Sequence, residues 1–292
     1  MKNDFIIQPA TREEVSFIFK RAGEYNEENV PLIKEQVVER ICKIIKDSNG
    51  SVIAGIVGLI NHNFKSVFVD LLWVKEEFRK CGYGTIILNN VETEALEKGI
   101  NFAYLGTLGF QAKGFYMKKG YEVFATLDEC VLNNKIYWMK KILNSKTIRL
   151  EIESLVEDGT DEDSQYINKR IVEFNSKQVT FTNKLDFENV SKVIKDSDGN
   201  IIAGIAANLL PWCDLSVDAI WTSKNAIEEE LKVKLLVAME KELIEKGGHV
   251  AMYETFDIKD VEFFIRNGYK TYGILDDYPS DYKAYYIKRV LK

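Results

Sequence analysis

The chain contains itself twice, and that repeat constrains its folding more than any other feature. Residues 43–58 read KIIKDSNGSVIAGIVG and residues 192–207 read KVIKDSDGNIIAGIAA, with ten of sixteen positions identical at an offset of 149. Downstream, VDLLW (69–73) matches VDAIW (217–221), and GFYMKKGYEVFATLDE (114–129) matches EFFIRNGYKTYGILDD (262–277), both at 148. Order and register hold across the whole copy. The period is half the chain, so the repeat reads as a duplicated domain and not a solenoid. With 292 residues, each copy is long enough for its own core. The expected units are 1–145 and 146–292, joined by a tight linker near Lys141–Lys146.

Each copy carries the same pattern of elements. A short strand (Phe5–Gln8; Ile148–Ser154) leads into a helix, and Thr11 with Glu14 forms a capping-box pattern at the first of these. A second helix pattern begins after Pro31. A hairpin follows, KIIKD and SVIAGIVGLI about a Ser-Asn-Gly turn, which becomes Ser-Asp-Gly in copy two. Then come a strand at 67–74, a long helix at 82–98, a strand at 101–107, a short helix at 112–119 and strands at 121–127 and 135–142. Hairpins around a central βαβ unit predict an α/β (α+β) fold, with a mixed, mostly antiparallel sheet flanked by helices.

The chemistry-bearing segment is Arg79-Lys80-Cys81-Gly82-Tyr83-Gly84, where the central strand of copy one turns into its long helix. Glycines let backbone N–H groups turn toward a ligand. The helix start adds unpaired donors and partial positive charge. A pyrophosphate suits such a place, with Arg79 and Lys80 as countercharge. A glycine-containing turn into an amphipathic helix is the plain alternative. The segment is neither a P-loop, for G-x-x-x-x-G-K-[ST] is missing, nor a G-x-G-x-x-G, for residue 87 is Ile87.

With its surroundings, the loop resembles the GNAT superfamily of acyl-CoA-dependent N-acyltransferases. Leu72-Trp73-Val74 corresponds to the family's L-x-V strand end, and Arg79-x-x-Gly82-x-Gly84 to its [QR]-x-x-G-x-[GA]. Ala112-Lys113-Gly114-Phe115-Tyr116, ending in Gly120-Tyr121, corresponds to A-x-x-F-Y-x-x-x-G-[FY]. The resemblance covers most of residues 1–143. It implies acetyl-CoA as co-substrate, with its pyrophosphate on the N–H groups of residues 80–85, Thr85 included, and its pantetheine arm along Leu72–Val74. It implies direct attack by a primary amine of a small molecule or peptide, with Tyr116 as general acid for the thiolate. Asp70 is the candidate general base, although its counterpart Asp218 leaves a structural role open. Glu24, Tyr25 and Glu28 fall where the family covers its acceptor. Gln111 is a further candidate cofactor contact, since Gly109 stands where relatives carry asparagine.

Copy two has lost the loop. Ile227, Glu230 and Lys232 replace Arg79, Gly82 and Gly84; Glu228 and Glu229 precede them; and Phe264 replaces Tyr116. That copy is expected not to bind CoA, which leaves a one-site N-acetyltransferase with a degenerate second domain. The competing class is a non-catalytic acyl-CoA-binding or regulatory protein. A net charge of −6 argues against nucleic acid or anionic membrane as partner and favours cationic acceptors. Cys42, Cys81, Cys130 and Cys213 form no framework, and Cys81 reads as a small residue tolerated in the loop. His62 and His249 stand alone, so no metal site is expected. Without a leader pattern or a spanning apolar run, the expectation is a cytoplasmic chain, monomeric as a pseudo-dimer or a homodimer.

Overall fold

The computed structural model describes residues 7–30, 37–130, 134–144, 155–178, 188–210, 214–223, 228–279 and 281–291. The first half gives β1 (Ile7–Pro9), α1 (Arg12–Asn29), β2 (Val38–Lys46), β3 (Val52–Asn61), β4 (Ser66–Val74), α2 (Tyr83–Glu97), β5 (Phe102–Leu108), α3 (Lys113–Lys118), β6 (Glu122–Cys130) and β7 (Asn134–Ile142). The second half gives β8 (Glu157–Asp158), α4 (Asp161–Gln178), β9 (Glu188–Asn189), β10 (Lys192–Lys195), β11 (Ile201–Leu209), β12 (Asp214–Thr222), α5 (Glu228–Glu245), β13 (Val250–Thr255), α6 (Ile258–Arg266), β14 (Lys270–Asp276) and β15 (Lys283–Val290). The fold is mixed α/β, as expected. The strand expected at 148–154, the helix pattern after Pro31 and the 145/146 boundary lie outside the described residues.

Local chemistry repeats between the halves. In the β2–β3 turn the Asp47 carboxylate accepts from the N–H groups of Asn49 (2.9 Å) and Ser51 (3.0 Å). Asp196 accepts from Asp198 (3.0 Å) and Asn200 (2.8 Å) in the β10–β11 turn. These aspartates pin the turn, which is why KDSxG recurs. The Thr11/Glu14 capping box forms, and Thr160 with Asp163 makes the same reciprocal pair before α4. Buried Glu92 meets Lys141 at 2.6 Å and Tyr121 at 3.0 Å. Buried Glu240 meets Arg289 and the Tyr269 hydroxyl, each at 2.9 Å. A carboxylate taken out of water needs such partners.

All strands join one sheet, in the order β1-β10-β11-β12-β13-β15-β14-β6-β7-β5-β4-β3-β2-β8, with β9 on β11. Among the described residues only β4–β5 and β12–β13 pair in parallel. The two halves meet where β14 runs beside β6, at Gly273 opposite Ala125. A Cβ on Gly273 would fall on Ala125, 3.1 Å from its Cα and closer to its methyl, so one of these two positions must be glycine.

The arms are exchanged. β1 pairs with β10 and β8 pairs with β2, while α1 packs on β11 and β12 and α4 packs on β3 and β4. Each helix inserts one fully buried isoleucine against a glycine of the other half's repeat motif: Ile18 over Gly204, and Ile167 over Gly55. Every half of the sheet is thus roofed by a helix from the other. The two largest buried clusters lie on the opposite face, under α2 and α5.

Candidate active site

The site begins with a splayed pair of strands. β4 and β5 are partners only from Ser66–Phe102 to Val69–Leu105. Beyond Val69, β4 keeps its bonds to β3 while β5 continues along β7, and a wedge opens between them. The register of β3 against β4 slips there, and Asp70 is the extra residue of the bulge. The wedge becomes a cavity of about 480 Å³, bounded by Asp70–Val74, the 79–85 loop, α3, and Ile171 and Phe174 of the exchanged α4.

At the mouth, Lys80 and Gly82 take positive φ (64° and 94°), and α2 starts at Tyr83 without a side-chain cap. The first turn closes with Thr85 N–H on the Gly82 carbonyl at 2.8 Å. Among the described residues no backbone carbonyl accepts from the N–H groups of Lys80, Cys81, Gly82, Tyr83 or Gly84. These donors, at the positive end of a helix, form a cradle for an anion. A Cβ on Gly84 would only touch Phe115 and Val74 at 3.6 Å, so the protein's own packing does not demand glycine there.

Arg79 is held in place: its Nε donates to the Val74 carbonyl at 3.1 Å, and the guanidinium lies 5.1 Å from the Phe174 ring. Cys81 and Tyr83 do not reach the cavity wall. The exposed Cys81 thiol donates to the Arg79 carbonyl at 3.6 Å, and Tyr83 packs edge-on to Phe78 at 5.9 Å. Trp73 borders the cavity but buries its ring against Tyr166 of α4, 5.6 Å away. Gln111 is engaged by protein: its Oε1 accepts from Leu108 N–H (2.9 Å), and its Nε2 donates to Asn175 of α4 (2.8 Å).

Tyr116, on α3, is 6% exposed and faces the cavity. Burial pushes its hydroxyl above the usual phenol range, so it stays protonated at neutral pH. Asp70 opens onto the same cavity. Surrounding protein raises its carboxyl above the ordinary range, and Arg40 opposes that rise. Asp218 occupies the matching bulge between Ala206 and Ala207 of β11 and the β12 strand, where it accepts from Asn208 and, at 3.4 Å, from Ser216. Leu59 and Phe68 stand in place of those donors in the first half. The bulge is shared, but only Asp218 is tied down; no described side chain hydrogen-bonds to Asp70.

In the second half a lysine stands at the loop end of the corresponding wedge, whose strand residues Ile220, Trp221 and Thr222 line an open cavity. Lys232 lies 3.4 Å from Glu228 and 3.8 Å from Asp260. Fully buried Phe264 stacks on Tyr253 with ring centres 4.5 Å apart. Ile227 lies outside the described residues. The first wedge opens instead into a second, larger space of about 1540 Å³ over the joined sheet, between α1 and α4. Asp70, Gly106, Thr107 and Gln111 border both. Glu24, Tyr25 and Glu28 line this larger space from α1, which packs on the second half. Tyr25 donates to Asp257 at 2.6 Å and Glu24 pairs with Arg21. Neither Ile171 nor Phe174 could be found from the repeat or the motifs, because they reach the wedge through the exchange. No group of three or more metal-ligating side chains occurs among the described residues, and no described helix is long and apolar enough to cross a membrane.

A splayed parallel pair, a glycine loop at a helix start and a buried tyrosine thus border one cavity. The model of the acetyltransferase (GNAT) family matches residues 11–121. Blasticidin-S acetyltransferase of Streptomyces morookaense is 29% identical over 100 residues, 34% of this chain and 72% of that protein. The crystal structure of an acetyltransferase from Bacillus cereus shares 29% identity, covering 47% of this chain and 96% of that one, with a TM-score of 0.43. An aminoglycoside 6'-N-acetyltransferase complexed with coenzyme A shares 17%, covering 50% and 99%, with a TM-score of 0.33. The likeness to the acetyltransferase (GNAT) family lies in the first half of the chain.

Proposed function

We propose that the protein is an acetyl-CoA-dependent N-acetyltransferase with one site, built on the first half, acting on a primary amine of a cationic small molecule or peptide. The observation that carries this reading is the convergence on one 480 Å³ cavity of the unpaired loop N–H groups, the splayed edge of β4, Tyr116 and Asp70. The residues fit the co-substrate: the loop offers N–H donors to a pyrophosphate, and β4 offers an unpaired edge to an amide-containing arm. Bound acetyl-CoA supplies the thioester. Asp70 takes the proton that makes an ammonium a nucleophile; the amine then attacks the carbonyl, the C–S bond breaks, Tyr116 gives its proton to the departing thiolate, and the proton shed by the new amide nitrogen restores the Tyr116 phenol. The Tyr116 hydroxyl suits an acid because burial keeps it protonated, and Asp70 suits a base because burial raises its basicity.

In this reading the chain is a tandem duplication, 1–145 and 146–292, whose second unit roofs the site and does not bind CoA; the loss of the glycine loop, with Lys232 held near Glu228 and Asp260 in its place, supports this. Seven carboxylates against four cations (Lys20, Arg21, Lys232 and Lys259) line the larger cavity, an acidic excess that favours a cationic acceptor. The test is thiol release from acetyl-CoA across an amine panel with wild type and Tyr116→Phe. Turnover lost about 10²-fold or more with CoA binding retained is the expected result. Tight CoA binding without turnover over a broad panel would instead favour a non-catalytic acyl-CoA-binding protein.

A further inference from the structure

Where the first half has Gly106 opposite Trp138 on β5 and β7, the second half has Glu254 opposite Tyr286 on β13 and β15. Gly106 needs nothing, and the fold is satisfied by it. Glu254 is a carboxylate in the wall of the larger cavity, open to that space, with no lysine, arginine or histidine among the described residues paired to it. The cations in that wall are Lys20, Arg21, Lys232 and Lys259, of which Lys232 lies 3.8 Å from Asp260 and Arg21 pairs with Glu24. The Tyr286 hydroxyl in the same wall is buried, its residue only 3% exposed, and it completes no hydrogen bond of ordinary geometry. Directly opposed residues of adjacent strands lie side by side, so carboxylate and hydroxyl face the cavity together. Aromatic rings of Tyr253, Phe256 and Tyr272 border them. Burial lifts the Glu254 carboxyl to about 7, a rise that Tyr286 softens. Aromatic walls around an unmatched carboxylate are the surroundings that recognise an organic cation.

We propose that Glu254 and Tyr286 form a cation subsite at the far end of the acceptor cavity, so that the second half selects elongated acceptors carrying a second positive charge remote from the amine that is acetylated. This rests on the acetyl-transfer reading of the Asp70–Tyr116 wedge. Five strand steps separate β5 from β13, which sets an upper span of ~24 Å along the sheet.

The experiment measures steady-state acetyl transfer to α,ω-diaminoalkanes from diaminobutane to diaminododecane, against n-alkylamines of equal length. The expected result is a KM that falls to a minimum at one diamine length and has no counterpart among the alkylamines. Glu254→Gln removes that minimum, raising the diamine KM about tenfold or more, the size of one charge-assisted contact. The kcat and the KM for acetyl-CoA stay as in wild type. Tyr286→Phe, which deletes only the hydroxyl, gives a smaller rise in the same direction and serves if Glu254→Gln does not fold. Transfer to both series with no length optimum, or a diamine KM unmoved in both variants, overturns the subsite and leaves the acetyltransferase reading standing. If neither series is acetylated, calorimetric binding of the long diamines decides: binding lost in Glu254→Gln supports the subsite without the reaction, and its absence in wild type overturns it.

Discussion

Replacing Gly55 by alanine tests the arm exchange and its link to the site together. A methyl there would enter the space of Ile167, meeting its terminal methyl and its Cγ1. Ile167 is fully buried in the cluster with Ile44, Val57 and Trp73, so it has nowhere to turn without disturbing that packing. Overpacking of this kind costs about 1–3 kcal/mol, a loss of a few degrees in Tm for a chain of this size. Because α4 also presents Ile171 and Phe174 to the 480 Å³ cavity, the same shift should raise the KM for acetyl-CoA roughly threefold to tenfold, or ~0.6–1.4 kcal/mol. Gly204→Ala is the matched control: it pushes on Ile18 of α1, which borders no part of the smaller cavity. Its stability loss should be similar and its KM for acetyl-CoA unchanged. Combining Gly55→Ala with Ile167→Ala should show a favourable coupling of about 1–2 kcal/mol in a denaturation cycle. Additive losses, or equal KM effects from the two glycine variants, would refute the reasoning.

Four further outcomes are expected. Gly84→Lys, which copies Lys232 into the first half, should leave the fold intact and weaken CoA binding about 10²-fold by calorimetry; undiminished affinity would show that the loop is not the cradle. Asp70→Asn should lower kcat/KM about 10²–10³-fold near neutral pH and erase the acid limb of the rate profile, which in wild type lies above the ordinary aspartate range because burial raises that carboxyl; coincident profiles would remove Asp70 as base. Glu254→Gln should flatten the pH dependence of stability. A carboxyl raised from 4.5 to about 7 favours the folded state below 4.5 and loses that contribution as pH climbs through 7. The variant should therefore gain on wild type at pH above 7, by on the order of 1 kcal/mol once screening at the open cavity face is counted. Gly273→Ala should cost about 1–3 kcal/mol by clashing with Ala125 at the junction of the halves, and Ala125→Gly in the same chain should restore it; a neutral single variant would mean the junction is looser than its register indicates.

Much of this architecture could be read along the chain, because each legible piece is a local rule. The Asp47 and Asp196 turns, the Thr11–Glu14 cap, the helix beginning beside Gly82 and the mixed sheet follow from residues a few positions apart. The loop and the Phe115-Tyr116 segment were visible for the same reason, as was the loss of both in the second copy. The site residues that were not visible are those whose role depends on a partner far off in sequence. Cys81 and Tyr83 sit inside the motif but point away from the cavity, a matter of helix phase. Asp70 and Asp218 look alike in the repeat and differ only because Asn208 and Ser216 reach one of them.

By itself, then, the sequence determined the two-fold repeat, the elements of each copy, and which copy keeps the glycine loop, since these are written in short-range spacing and turn chemistry. Only the tertiary structure decided which half roofs which. A helix that presents one isoleucine finds an equally good glycine floor in either copy, and the choice rests on contacts more than a hundred residues apart. That exchange brings Phe174 over Arg79 and sets the cavity at Tyr116 beside the larger one at Glu254, with Asp70, Gly106, Thr107 and Gln111 in the wall of both. The second half, reduced in its own wedge, thereby becomes part of the wall of the first half's site.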